Sequence, residues 1–234
     1  MVANGPANGR QETNASTAQL DNDADRISVV LMAGACGIAD AVGFVHTGVF
    51  AANMTGNTVL AGLSLANQEW AIALGRIVTL ATFFGGAMVG RVLQRVRPGQ
   101  LWLPLFVEAV LITASALVDP GQTLFIWLLA GAMGIQATAI TRVHGMAIST
   151  VVVTSTMARL AETTVDALAR DRRPEDRASG AATAAALMWM SYAGGAIAAV
   201  LLMKVTSLSI LVSAGVVLLV SVRWKTMGAG PAGS

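Results

Sequence analysis

Six apolar stretches separated by polar breaks organise most of this chain. They cover 27–45, 71–90, 101–118, 123–140, 181–203 and 205–222, each near the roughly 20 residues a helix needs to cross a ~30 Å hydrocarbon core. Glycine and other small residues recur inside them in place of uniform leucine. That is how helices pack when lipid, as apolar as they are, gives no hydrophobic drive to associate. The pattern predicts an all-α fold: a polytopic membrane helix bundle of six transmembrane helices. Before Ile27 the chain is rich in Asn, Gly, Asp and Ser/Thr without apolar periodicity, so residues 1–26 are expected to form a disordered tail. They lack the positive leader of a signal peptide. The membrane domain is then 27–225, followed by a loose tail over 226–234.

Two regions of the chain echo each other. Gly34-Ala35-Cys36-Gly37-Ile38-Ala39-Asp40, Val45-His46-Thr47-Gly48 and Met54-Thr55-Gly56-Asn57-Thr58 are answered by Gly131-Ala132-Met133-Gly134-Ile135-Gln136, Val143-His144-Gly145 and Val153-Thr154-Ser155-Thr156. Phe84-Gly85-Gly86-Ala87 returns as Ala193-Gly194-Gly195-Ala196. Each copy holds three of the six stretches, repeat one over 27–118 and repeat two over 123–222. An odd number of spans reverses the entry direction of the second copy, so the expectation is two inverted three-helix repeats, a plan of secondary transporters whose sites lie near the midplane.

Composition sharpens this picture. A hydrophobic share of 55% with only 12% charged residues leaves too little polar surface to cover a soluble domain of this size. With six spans, all but two of the 15 basic residues fall on the N-terminal side of the membrane, the exceptions being Lys204 and Arg76. The positive-inside rule then places both termini in the cytoplasm of a cell, or inner, membrane. The same asymmetry removes nucleic acid as an explanation of the basic balance. Segments 46–70 and 144–179 are apolar enough to raise the prospect of eight spans, but that would put Arg91, Arg95 and Arg97 opposite Arg170, Arg172, Arg173 and Arg177. Six spans are therefore preferred, with both segments dipping into the protein or lying along the interface. Within the second, Arg159, Glu162, Thr163, Asp166 and Arg170 share one face of an amphipathic helix.

The polar residues inside these stretches are the candidate chemistry. Asp40, two-thirds along the first span, reads as a proton or cation site, or as a neutral acid bonding a neighbouring helix. Glu108 lies ~10 Å into its span by helical rise and could reach towards the headgroups. Arg76 enters from the other face, with Asp40 the better ion-pair or gating partner than Glu108. Asn53, Thr55, Gly56, Asn57 and Thr58 combine a backbone hinge with side chains that donate, accept or ligate a small ion through oxygen. Thr154 and Thr156 repeat part of that pattern, and Gln136 sits at a depth comparable to Asp40. A turn, a helix cap or an interhelical bond would use the same residues. His46 and His144, just past matching spans, are expected to cap the interface and not to share a metal. Cys36 reads as a small buried apolar residue, and Trp189 as a core residue. No motif for a metal, cofactor or catalytic centre occurs, so neither a metal site nor an enzyme is expected.

Asp40-Ala41-Val42-Gly43-Phe44 followed by Phe50-Ala51-Ala52-Asn53-Met54-Thr55-Gly56-Asn57 resembles the leading signature of the YoaK family of bacterial integral membrane proteins. The similarity spans roughly Ser28 to Val222. It implies a cell-membrane location and a six-helix domain, and no substrate. Ala137 and Ser155 depart from the family's Asn and Gly. Two functions remain open at this level. One is a small secondary transporter or permease for a small solute, proton-coupled through Asp40. The other is a membrane scaffold whose Arg170–Arg177 stretch contacts a partner protein or anionic lipid. The bilayer is the expected partner in both, and one six-helix copy is small enough that a homodimer is expected.

Overall fold

The structure, a computed structural model, describes residues 7–140, 161, 165, 176–206 and 208–228. It is helical, with no strand among the described residues. The helices are α1 (Ala7–Thr47), α2 (Met54–Ala66), α3 (Trp70–Val96), α4 (Trp102–Ser115), α5 (Thr123–Ile140), α6 (Asp176–Met203) and α7 (Ile210–Gly228). Helical backbone thus begins at Ala7, well before the apolar stretch that starts at Ile27. At the other end α7 continues to Gly228. Of segment 144–179 only Ala161, Val165 and 176–179 are described, all helical, with Ala161 and Val165 exposed. The remainder of that amphipathic stretch, with Arg142, His144, Thr154, Ser155, Thr156 and the Arg170–Arg173 group, lies outside the described residues.

Among the described residues, three helical stretches are long and apolar enough to cross a bilayer: Arg26–Thr47, Trp70–Val96 and Ala186–Met203. α4 and the apolar part of α5, Thr123–Ala139, are shorter. With 14 residues α4 rises only ~21 Å. Its predicted span, 101–118, is finished by a tighter turn in which Leu117 and Val118 donate to Ala114 and Ser115. The most apolar window of α1 is 67% buried, against 17% for α3 and 11% for the span in α6. α1 is therefore the central helix, and α3 and α6 are peripheral, exposing Phe84, Met88, Met190, Ile197 and Leu201. A belt of such residues is a liability in water and an asset in lipid. Trp189 is half-buried beside the buried Met188, so the expectation of a core indole fails.

Glycine sets the tightest helix crossings. α1 packs on α6 where a Cβ at Gly37 would strike the Tyr192 carbonyl and one at Gly195 the Gly34 carbonyl. α5 packs on α3 where a Cβ at Gly134 would strike the Phe83 carbonyl and one at Gly86 the Gly131 carbonyl. Backbones in this contact leave no room for any side chain, the small-residue geometry of membrane helix pairs. α1 and α5 also touch each other at the centre, α4 lies against α5 and α7, and α7 returns against α1. Between them Met32, Ile112, Phe125, Ile126, Leu129, Met133 and Val217 form the core, each 2% exposed or less.

Candidate functional site

At the end of α1 the chain turns on Gly48, whose φ of 68° lies in the left-handed region and whose N–H donates to the Phe44 carbonyl. A helix commonly ends this way, because glycine alone enters that conformation without Cβ strain. The following segment returns alongside α1. Asp40 is seven residues short of the helix end, ~10 Å by helical rise, yet its Oδ1 accepts from the Ala52 N–H at 2.6 Å and the Asn53 N–H at 3.3 Å. Its Oδ2 accepts from the Tyr192 hydroxyl of α6 at 2.5 Å. Asp40 is 3% exposed, so these donors stand in for water.

Asn53 and Asn57 complete this clasp. Asn53 caps α2, its Oδ1 accepting the Gly56 N–H at 2.9 Å, the placement that gives asparagine its preference for helix starts. Asn57, fully buried, brackets the Phe50 peptide: Nδ2 donates to the Phe50 carbonyl at 2.7 Å and Oδ1 accepts the Phe50 N–H at 2.9 Å. Gly56 is hemmed in, since a Cβ there would lie 3.0 Å from Asn53 Nδ2 and from the Phe50 ring. Thr55 and Thr58 face outwards, Thr58 donating to the Met54 carbonyl of its own helix. Of the candidates between 40 and 58, then, Asp40, Asn53, Gly56 and Asn57 come together and the two threonines do not. Replacing Asn57 with Ala would strand both polar groups of the Phe50 peptide. A loss of about 2–4 kcal/mol is expected, read by equilibrium unfolding in mixed micelles, with Thr58→Ala close to neutral.

The sequence reading overlooked Tyr192, which supplies the side-chain donor to Asp40. Two signals could have found it. It is the chain's only tyrosine, and it precedes Ala193-Gly194-Gly195 as Phe83 precedes the similar Phe84-Gly85-Gly86. At the equivalent sequence positions, Phe83 and Ala137, the hydroxyl and the carboxyl are both missing.

The other candidates lie elsewhere. Arg76 turns to α2, donating from a terminal guanidinium nitrogen to the Leu60 carbonyl at 2.6 Å and to Ser64 Oγ at 2.5 Å. Ser64 in turn donates to Glu69. This network closes the antiparallel α2–α3 hairpin, and Arg76 pairs with neither Asp40 nor Glu108 among the described residues. Gln136 donates from Nε2 to the Met32 carbonyl of α1 at 3.0 Å, one of the few polar ties across the centre. Glu108 does not reach for the headgroups: it is 0% exposed, and neither carboxyl oxygen has a hydrogen-bond partner among the described residues. His46 is exposed at the end of α1, edge-on to Phe125.

Comparison with known proteins agrees with a membrane assignment and leaves the chemistry open. The family model described as "Protein of unknown function (DUF1275)" matches residues 28–223. The "UPF0700 transmembrane protein YoaK" of Bacillus subtilis (strain 168) is 33% identical over 138 residues, covering 54% of this chain and 61% of that protein. The chain thus spans about three-fifths of the length of the curated relative it matches. No solved structure matches it. The aligned region takes in the glycine crossings, the clasp and the buried carboxyls alike, and on that breadth the chain belongs to the DUF1275 family of helical membrane proteins, the family in which YoaK is found.

Proposed function

We propose that this protein is a small secondary transporter built from two inverted three-helix repeats, α1, α3 and α4 in one and α5, α6 and α7 in the other. The observation that carries the reading is the exchange of contacts between the copies. Gly131 and Gly134 follow Gly34 and Gly37 at one common separation along the chain, and Tyr192 and Gly195 follow Phe83 and Gly86 at another. Swapping α1 with α5 and α3 with α6 therefore turns the α1–α6 crossing into the α5–α3 crossing, residue for residue. The same swap, extended to α4 and α7, exchanges the α4–α5 and α7–α1 contacts and leaves α1–α5 and α4–α7 unchanged. Buried positions obey it too: Pro104, Leu105, Glu108, Ala109 and Ile112 match Ser209, Ile210, Ser213, Ala214 and Val217 in register. A pseudo-two-fold axis of this kind, lying in the membrane plane, supports alternating access, in which one half rocks against the other around a central site.

The basic residues orient this arrangement with both termini in the cytoplasm of the cell membrane. In that frame the return segment 48–53 dips towards the middle, and α2 is a half-helix rising again to its hairpin with α3. Broken backbone at membrane depth is tolerated where it is buried in protein or lines a cavity. The clasp around Asp40 and Asn57 is then the part of the site that the first copy supplies. The test is uptake of a panel of labelled amino acids, carboxylates and sugars by purified protein in liposomes, with and without an imposed pH gradient. At least one solute should accumulate above protein-free liposomes, with the rate raised by the gradient. Failure to accumulate any of the panel, from a protein shown to be folded, would count against the reading.

A further inference from the structure

The clasp leaves Glu108 unexplained. It lies in the second turn of α4, fully buried in a helix that packs against α5 and α7. The axis relating the copies maps the α1–α5 and α4–α7 contacts onto themselves, and it makes Ser213 of α7 the counterpart of Glu108. The two differ in one respect that matters. Ser213 is satisfied, donating to the Ala35 carbonyl at 2.9 Å, whereas Glu108 has no donor among the described residues.

The charged and titratable groups around it are few. Over 27–45 α1 offers only Cys36 and Asp40, neither of them a cation, with Arg26 and His46 at the two ends of that stretch. α5 carries none over Thr123–Ala139. On α7 the cations Arg223 and Lys225 lie at the far end, Lys225 held 5.1 Å from the Trp102 ring centroid at the start of α4. On α3, Arg76 is committed to α2, and Arg91 and Arg95 belong to its last turns. A bare carboxylate in such a place costs several kcal/mol, and the form that fits is the neutral acid. A purely structural glutamic acid would use its O–H to bind a neighbouring helix, as Gln136 uses its N–H. Glu108 makes no such bond among the described residues.

We propose that Glu108 is the proton-binding site of the protein. It holds its proton in the closed state seen here and passes it to water admitted along the axis when the two halves part. This assignment rests on the inverted-repeat reading for the position of the axis, but its test needs no solute. The full-length protein in liposomes would be followed by infrared difference spectroscopy as pH is raised, in H₂O and in D₂O. The wild type should show a protonated-carboxyl band that disappears reversibly with pH and shifts in D₂O. Glu108→Gln should remove that band completely, and Glu108→Asp should move it. The assay overturns the proposal if the band of folded protein survives Glu108→Gln or persists at every pH, the latter marking a permanently neutral structural acid. Should Glu108→Gln fail to fold, the pH response of the wild type and the displaced band of Glu108→Asp decide the matter. A wild type that transports no solute but shows this band would sink the transport reading alone. Solute uptake with a band that does not titrate would sink the proton site alone.

Discussion

Adjacent glycines on one helix should respond oppositely to the same substitution. Gly86→Ala puts a methyl group onto the Gly131 carbonyl, while at Gly85, one residue earlier, nothing lies within 4 Å. The first contact is with backbone, which cannot rotate aside, so α3 and α5 must separate and lose packing along their length. Overpacking of this kind costs about 1–3 kcal/mol. Gly85→Ala meets no neighbour and should gain up to about 1 kcal/mol from helix propensity. The neighbours should therefore differ by roughly 1–4 kcal/mol. Gly195 and Gly194 form a like pair on α6, Gly195 against the Gly34 carbonyl and Gly194 in open space. Equilibrium unfolding of the four variants in mixed micelles is the measurement. Equal effects at 85 and 86, or an inversion of the order at 194 and 195, would remove the glycine crossings as the determinant of the fold. Leucine at Gly86 or Gly195 should leave no folded protein to recover.

How far the sequence foretold all this depends on what kind of information each feature needs. The helices and their glycine faces were legible because apolar runs and small-residue spacing are local patterns. The start of α1 at Ala7 was not, since residues 7–25 show no apolar periodicity from which to argue a helix. The sequence also flagged Asp40, Asn53 and Asn57 as polar residues out of place, but their arrangement depends on where the chain turns back. Gly48 decides that turn, and its φ could not be inferred from one glycine among 24. The face from which Arg76 enters the membrane points, by sequence alone, to Asp40 as its partner. The structure gives it the Leu60 carbonyl, because the tight hairpin after α2 brings that carbonyl closer than any carboxylate. Glu108 was misplaced for a related reason. Depth by helical rise says how far along a span a residue lies, and says nothing of which face it occupies.

Removing the Asp40 carboxyl should be among the most damaging single changes in the membrane domain, and the size of the damage should depend on what replaces it. Asp40→Ala leaves the Ala52 N–H and the Tyr192 hydroxyl facing a void where an acceptor had been. Stranding buried donors costs about 1–3 kcal/mol each, and freeing the return segment from α1 also loosens the entry to α2. A total loss near 3–5 kcal/mol is expected, comparable to breaking a buried polar network. Asp40→Asn keeps an oxygen for the backbone donors and turns an amide towards Tyr192, whose hydroxyl can rotate to accept. It should cost only about 1–2 kcal/mol. Tyr192→Phe removes a single bond and should fall in the same range. Because the two side chains share that bond, the double variant Asp40→Asn with Tyr192→Phe should be less destabilised than the sum of the two, by about 0.5 kcal/mol or more. Strict additivity would mean that the contact between α1 and α6 at this point contributes nothing. The ordering also separates structural from functional demands on the clasp. If Asp40 only ties the return segment in place, Asp40→Asn should retain solute uptake in proportion to the folded protein recovered. A folded Asp40→Asn protein that takes up nothing would make the carboxylate charge itself part of the transport cycle.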